Sequence, residues 1–578
     1  IKMIKKRKTK PEFFELSNFR RRFTILILLT LFLTLFSRAF YLQTMQTDFL
    51  QAKGGDITNR KEELHAYRGK ILDRNNELLA ASTPVETIVV NLPDLIITLD
   101  QKKRLASLLE MHQKTLSKRL NKRDKHTIYL KRSLSPKKAG KVMALKIPGI
   151  YTLKEYDRFY PGKEASAHVV GFTSIDGDGL EGIEMYANKI LSGVPGFRKV
   201  LKNRSGKIVD DLQDIQIPID GKDIKLSVDK RLQYSSYKAL EKAVEKHGAL
   251  SGSSILIDAK TGEVLAMTNY PSFNPNPKAS SRDTEYVRNR VVTDMFEPGS
   301  TIKPITVSAA LKDNTVKPDD LINTFEGFYK VRKGFTVRDT KSYGLITVKE
   351  VIQKSSNIGT TQISQKLEPK YLWKVLNEYG LGKKTGIEFP GEVKGVIHHH
   401  KNWGESEQAT ISYGYGISSS LIQLAQAYTV FANQGEIKPI TLFKTDGPVI
   451  GRKVIDKRTS NQMLNILESV ITPEGTGILA KIPGYRVAGK TGTAKKSSKG
   501  GYGNKYIGSF IGIAPVSNPK FILAVMIDEP SIDGYYGGVV AGPAFQSIMS
   551  DALKLYSIPQ DGKKIAPSSD QKMVLLKN

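Results

Sequence analysis

One segment limits what this chain can fold into more than any other. Residues 23–37 (FTILILLTLFLTLFS) are uncharged and mostly apolar. Extended through Arg38 to Leu42, the run reaches about 20 residues, or roughly 30 Å as a helix, which is the thickness of a bilayer core. The run alone is short enough for a signal peptide. However, Arg38, Phe40 and Tyr41 stand where a cleavage site needs small residues. At the far interface an arginine can snorkel and a tyrosine can anchor. The pattern predicts an uncleaved transmembrane helix over 23–42. Arg20, Arg21 and Arg22 abut its start, Lys2 to Lys10 lie upstream, and no basic residue falls between Tyr41 and Gln51. The positive-inside rule puts the 1–22 tail in the cytoplasm and everything after Leu42 outside. No second long apolar run follows. The expectation is a single-pass protein of the cytoplasmic (inner) membrane with more than 500 exported residues.

Charge and cysteine content narrow the chemistry. The chain has 88 Lys+Arg against 57 Asp+Glu, a formal charge of +31. The excess is scattered through mixed sequence, without zinc-finger spacing or a glycine-aromatic RNA-binding signature, so nucleic acid is not an expected partner. With no cysteine, a disulfide scaffold, a thiolate metal site and a cysteine nucleophile are excluded. No metal or cofactor is expected. His398, His399 and His400 are consecutive, so their side chains diverge, and they read as a solvated loop.

Texture divides the exported part. Residues 43–222 are polar, with a strand entering a turn at 68–76 and short helical pieces over 101–146. From Ile224 the pattern changes. Two apolar runs, 254–258 and 263–267, flank a glycine-containing turn and predict a hairpin. Further strands are expected at 506–513 and 521–527. Helices are expected at 232–247, 349–367, 420–433 and 460–470. Strands, then helices, then strands again imply α+β, an antiparallel sheet with a helical insertion. The residues after Pro559 read as a flexible tail.

Three short motifs carry the chemistry: Ser300-Thr301-Ile302-Lys303, Ser355-Ser356-Asn357 and Lys490-Thr491-Gly492-Thr493, a set and order that resemble the signature of the penicillin-recognising serine enzymes. Each is weak alone. S-x-x-K recurs at Ser135 and Ser227, K-T-G at Lys260 and Lys384, and S-x-N at Ser272. Setting and order select one copy of each. Pro298-Gly299 makes a sharp turn, a helical pattern runs from Thr301 toward Leu311, and Pro304 is tolerable only in a first turn. Ser300 is therefore expected at a helix N-terminus, with Lys303 one turn on along the same face. Ser135 has no comparable lead-in turn, and Ser227 reads as strand. Lys260 is the turn of the hairpin and Lys384 lies in a loop. Only Lys490 combines the right order with extended flanks.

A serine hydroxyl needs a base. No G-x-S-x-G elbow is present and histidines are few, so Lys303 is the candidate. Burial lowers a lysine pKa, and so does a second cation, here Lys490. Ser355 is placed to relay a proton to the leaving amine, and Asn357 to orient Lys303 and the substrate amide. The N–H groups of Ser300 and Thr493 are the candidate oxyanion hole. Thr491, Gly492 and Thr493, with Lys490, are the candidate site for a terminal carboxylate.

These motifs, in this order, resemble the penicillin-recognising serine enzymes. The whole chain resembles a class B penicillin-binding protein, most closely the septal, division-specific type. The likeness extends to R-G-x-I-x-D-R at 68–74, the stretches 158–171 and 179–184, 296–304, 354–359, Tyr413-Gly-Tyr-Gly416, 490–495 and Tyr535-Tyr536-Gly537-Gly538. Ile417-Ser418-Ser419-Ser420 departs from the apolar-Thr-Pro stretch usual there.

The resemblance implies a penicillin-binding transpeptidase fold over 223–558, its antiparallel sheet flanked by helices and joined to a helical subdomain. An elongated α+β pedestal of the dimerisation type over 43–222 would precede it, and a tail over 559–578 would follow. It implies D,D-transpeptidation of peptidoglycan stem peptides through a Ser300 acyl-enzyme during septal wall synthesis, with β-lactams acylating Ser300 as mimics. It also implies contacts of the pedestal with division-complex membrane proteins, including a septal glycan polymerase. The rival readings are an elongation-specific transpeptidase of the same class, and a D,D-carboxypeptidase or β-lactamase-like hydrolase with water as acceptor. No E-x-x-L-N motif supports a β-lactamase.

Overall fold

A computed structural model describes residues 17–50, 53, 59–122, 126–202, 208–276, 284–447, 449–498 and 501–562. Most of the basic tail (1–16) and the segment 563–578 lie outside the described residues. Helix α1 (Asn18–Thr44) contains the whole predicted span and extends beyond it at both ends. None of its residues is buried. Thr24, Thr30 and Thr34 turn their hydroxyls back onto the carbonyls of Arg20, Leu26 and Thr30 at 2.7–2.8 Å. These three hydroxyls are thus satisfied within the helix, which suits a lipid environment.

The polar region after α1 forms two sheets. Asn59–Leu64, Gly196–Lys202 and Ile208–Gln216 pair antiparallel. The second sheet is built on the long strand Leu78–Asn91, which pairs with Ile71–Leu72, Thr127–Leu134 and Ile150–Phe159. The run 101–146 is not purely helical: Thr127–Leu134 separates helices Gln113–Leu120 and Pro136–Met143. Ile128, Leu130 and Leu134 of that strand are buried with Leu116 and Val142 of these helices and with Leu105 of the helix Leu99–Leu108.

Ser135 is a second correction. It is the N-cap of Pro136–Met143, accepting Lys138 N–H at 3.4 Å, with Pro136 in the first turn. A serine at a helix start followed by lysine therefore occurs twice here, and helix position alone does not separate Ser300 from Ser135.

The second half is organised on one five-stranded sheet. Its strands are β1 (Ser251–Asp258), β2 (Val264–Tyr270), β3 (Ala488–Ser498), β4 (Gly501–Ala514) and β5 (Phe521–Asp528), in the order β2-β1-β5-β4-β3, antiparallel throughout. All of β1 is buried, which requires cover on both faces. Helices α2 (Lys230–Lys246) and α7 (Gly542–Leu555) pack together over the sheet, and α6 (Leu421–Ala432), buried along its length, packs over β1, β4 and β5. The insertion between β2 and β3 supplies α3 (Lys303–Lys312), α4 (Val348–Gln353) and α5 (Asn357–Gln365).

The chain is not cut cleanly at position 223: Ile224–Lys225 pairs parallel with Ile71–Leu72 and so belongs to the sheet of the first half. One continuous core joins Ile71, Leu79, Tyr160, Val169 and Leu191 to Ile255, Phe521 and Phe545. A buried ion cluster lies in the first half. Glu184, fully buried, accepts Arg68 Nε at 2.7 Å and Arg158 Nε at 2.6 Å. Arg68 also donates to Asn188 and Ser192. This explains why 68–74, 158–171 and 179–184 go together: one carboxylate holds two guanidiniums, Arg68 from the segment before Ile71–Leu72 and Arg158 from the strand Ile150–Phe159. Tail residues 559–562 are not loose. Asp561 accepts the N–H groups of Arg486 (2.7 Å) and Ser517 (3.0 Å), and Gly562 N–H donates to Gly484 O.

Candidate active site

The turn at Pro298-Gly299 forms as predicted, but the helix starts later than expected. Gly299–Ile302 is a 3-10 turn and α3 begins at Lys303, with Pro304 in its first turn. Gly299 takes φ +54 and its N–H donates to Gly414 O at 3.1 Å. A Cβ on Gly414 would lie 2.0 Å from Gly299 O, so the 413–416 segment closes on the turn with no room for a side chain. Ser300 is half-buried.

Lys303 and Lys490 are both completely buried and converge on one serine. Lys303 Nζ donates to Ser355 O (2.5 Å) and Ser355 Oγ (3.2 Å), and Lys490 Nζ donates to Ser355 Oγ at 2.8 Å. Lys490 Nζ also reaches Thr491 O at 3.1 Å. Burial lowers the Lys303 amine to about 7, opposed by the charge of Asp339. The expectation that Lys490 depresses Lys303 is corrected in its cause: desolvation is the main effect. Lys490 is itself held well below the lysine range, by burial first and then by Lys303. No hydrogen bond joins Ser300 Oγ to Lys303 Nζ among the described residues, because the amine is turned to Ser355. Catalytic contacts of this kind commonly tighten only when substrate arrives.

The predicted helix 349–367 is broken where the chemistry lies. α4 ends at Gln353, α5 starts at Asn357, and Ser355 between them has φ +61. Helical periodicity continued through the break because apolar residues keep the register on both sides. Asn357 departs from its expected partner. Its Nδ2 donates to Arg338 O at 3.0 Å and not to Lys303. Asp339, which no motif flagged, accepts from Ser356 Oγ and Asn357 N–H, both at 2.5 Å. An aspartate in the surface-like sequence VRDT carries no local signal of this.

β3 is the sheet's edge strand and brings Lys490, Thr491, Gly492 and Thr493 against the serine turn. A Cβ on Gly492 would lie 2.3 Å from Ser509 Oγ and 2.9 Å from Thr301 Cγ2, so only glycine allows this approach. Residue 299 neighbours Thr493: a Cβ there would sit 3.4 Å from Thr493 O. The backbones of Ser300 and Thr493 therefore share the site. Thr491 Oγ1 bonds Thr476 Oγ1 (2.7 Å), and Thr493 Oγ1 accepts Gly537 N–H (3.0 Å). Tyr535 and Tyr536 belong to the loop after β5 rather than to a strand. Tyr535 stacks on Tyr506 at 3.9 Å and Tyr536 on Tyr535 at 4.7 Å.

The duplicate motifs have other uses. Lys260 and Thr261 donate their N–H groups to Asp258 in the β1–β2 turn, and Thr385 bonds Glu392. Ser272 Oγ bonds Glu164 O. His399 and His400 are not simply solvated. Their rings lie 4.7 and 5.5 Å from Trp373.

Comparison with known proteins gives one answer over nearly the full length. The family model for the penicillin binding protein transpeptidase domain matches residues 252–550, and that for the penicillin-binding protein dimerisation domain matches 63–226. The probable peptidoglycan D,D-transpeptidase PbpC of Pseudomonas aeruginosa is 39% identical over 96% of this chain and 99% of its own length. The peptidoglycan D,D-transpeptidase FtsI of Escherichia coli K12 is 38% identical over 91% of this chain and 90% of its own. Among solved structures, penicillin binding protein 3 of Mycobacterium tuberculosis, complexed with aztreonam, superposes with a TM-score of 0.67 at 26% identity, covering 86% of this chain and 98% of its own.

Proposed function

The chain belongs to the penicillin-binding protein transpeptidases, and on that premise we propose that it cross-links peptidoglycan stem peptides at the division septum with Ser300 as nucleophile. The activity is that of a serine-type D,D-transpeptidase. The observation that carries the residue assignment is the pair of fully buried lysines sharing the Ser355 hydroxyl at 3.2 and 2.8 Å.

The chemistry follows from charge. With its amine lowered to about 7, Lys303 has a large neutral fraction near neutral pH. It takes the Ser300 proton as Oγ attacks the carbonyl of the penultimate D-Ala. The oxyanion forms against the N–H groups of Ser300 and Thr493. The proton passes through Ser355 to the departing amine, the C–N bond breaks, and D-Ala leaves. An amine of a neighbouring stem then attacks the Ser300 ester and gives up its proton by the same route, and the Ser300 hydroxyl is restored. Lys490 with the 491–493 edge receives the substrate's terminal carboxylate. A β-lactam follows the first half of this course and stops as an ester on Ser300.

The anchor α1 holds the protein at the membrane, with the N-terminus in the cytoplasm and the catalytic half outside. Residues 43–222 act as the pedestal and offer the surface for division-complex membrane proteins. Mass spectrometry after penicillin treatment tests the nucleophile. A stable adduct is expected on the intact chain and none on Ser300→Ala; an adduct persisting in the variant refutes the assignment. Rapid turnover of penicillin would favour the hydrolase instead. A fluorescent fusion absent from midcell would remove the septal assignment.

A further inference from the structure

The strained serine of the site is held by a residue outside its three motifs. Asp339 directly follows the strand Phe335–Arg338, which forms a surface hairpin with Phe328–Arg332. Its N–H donates to Gly327 O at 3.0 Å, which fixes its backbone. Val337, two residues earlier, is buried with Ile358 of α5 and with Ala409 and Tyr413. The hairpin is thus packed onto the helix that begins beside Ser355.

The Asp339 carboxylate is fully engaged. Oδ2 accepts the Ser356 hydroxyl at 2.5 Å, and Oδ1 accepts the N–H groups of Asn357 (2.5 Å) and Ile358 (3.2 Å). Ser356 Oγ accepts Gly359 N–H at 2.8 Å, and Arg338 O accepts Asn357 Nδ2. Residues 338 and 339 therefore hold 356, 357 and 358 together. Immediately before them Ser355 sits at φ +61. A non-glycine residue in that region is strained and persists only where its surroundings over-determine it. The Asp339 bonds supply that constraint.

We propose that Asp339 is a positioning residue of the transpeptidase: it locks the Ser355 turn under the two lysines and supplies the negative charge that keeps Lys303 a usable base. The proposal rests on the assignment of Ser300 and Lys303 given above. Its electrostatic half follows from the inventory of charges around the amine. Lys490 faces it from β3 across Ser355. Lys354, in the same turn, points away to Glu350 (3.3 Å) and the Tyr343 ring. Asp339 is the anion that acts on Lys303, and it raises the proton affinity that burial lowers. Without that counter-charge, burial would favour the neutral Lys303 amine further and weaken it as a base. A base that weak accepts a serine proton poorly.

The test uses the full chain in detergent and a fluorescent penicillin. The second-order acylation rate is followed over roughly pH 5 to 9 for the unaltered protein, Asp339→Asn and Asp339→Glu. The Asn variant keeps an oxygen for Asn357 N–H and loses the charge. Its acid limb is expected to move to lower pH by about half a unit or more, with a reduced plateau. The Glu variant keeps the charge and displaces the carboxylate, so its limb stays near that of the unaltered protein while its plateau falls. A limb that does not move in Asp339→Asn, with the rate reduced by one factor at every pH, overturns the proposal. If Asp339→Asn does not fold, Asp339→Ser, which also loses the charge, is measured in its place: a limb moved to lower pH supports the proposal and a limb left in place overturns it. The two readings fail separately. Absence of a Ser300 adduct on the unaltered protein removes the assignment of function, whereas a normal adduct with an immobile limb removes only the role of Asp339.

Discussion

Substituting Gly537 by alanine tests whether the loop after β5 is part of the active-site wall. A Cβ at 537 would lie 2.1 Å from Gly492 O and 2.3 Å from Ser509 O, and both obstacles are backbone atoms. Neither can swing aside as a flexible side chain would. Contacts under 3.0 Å are essentially never seen for a real Cβ, so the loop must retreat from β3 by about 1 Å. The first bond lost is Gly537 N–H to Thr493 Oγ1 (3.0 Å), and Tyr535 and Tyr536 move with the loop. Overpacking of this kind costs about 1–3 kcal/mol of stability. A 1 Å displacement near reacting groups costs about 10²-fold in rate. Gly542→Ala is the control. At the start of α7 its nearest neighbours would be 3.5 Å away, and the gain in helix propensity is at most about 1 kcal/mol. Acylation by a fluorescent penicillin and thermal melting, measured on both variants, read the two effects. Gly537→Ala acylating within a factor of two of the unaltered protein would show that the loop does not shape the site.

Acylation should also follow the charge of Lys303. At pH 7 an amine at about 7 is half neutral, whereas an unperturbed lysine at 10.5 would be neutral in about one molecule in three thousand. Protonation removes the base, so the rate should rise with pH through about 7 and level off above it. A rate still climbing beyond pH 9, or flat down to pH 5, contradicts a lysine base of this strength. In the pedestal, Glu184→Gln leaves Arg68 and Arg158 buried without their shared anion, at an expected cost of about 3–5 kcal/mol. Chemical denaturation measures this, and a transition unchanged from that of the unaltered protein would mean that water or a nearby group takes over the carboxylate's role.

Some of this was readable in the sequence because chemistry constrains residue type at short range. A turn of Pro298-Gly299, a serine and a lysine one turn later specify a site within eight residues, and the two apolar runs of β1 and β2 around a glycine-containing turn specify a hairpin. The failures come from interactions that span the chain. Ser135 is as good a helix cap as Ser300 locally, and only distant β3 and Ser355 distinguish them. The break at Ser355 is set by Asp339 and Arg338, some 16 residues away across a hairpin whose sequence reads as ordinary surface. Asn357 was given the partner that its motif suggests, but the hairpin carbonyl claims its amide. Glu184 has two arginine partners 116 and 26 residues distant, a relation that no local pattern contains. The order of the sheet, with β4 and β5 separating β1 from β3, likewise follows from long-range pairing.

The short connection after α1 restricts where the protein can operate. From Thr44 to the first strand at Asn59 there are only fifteen residue steps, which fully stretched reach about 50 Å. Residues 47–50 of the connection are helical, so its true reach is shorter still, and on the proposed function Ser300 works in a layer bounded by that tether and the height of the body it carries. Lengthening that leash would change which strands come within range without altering a single reacting atom.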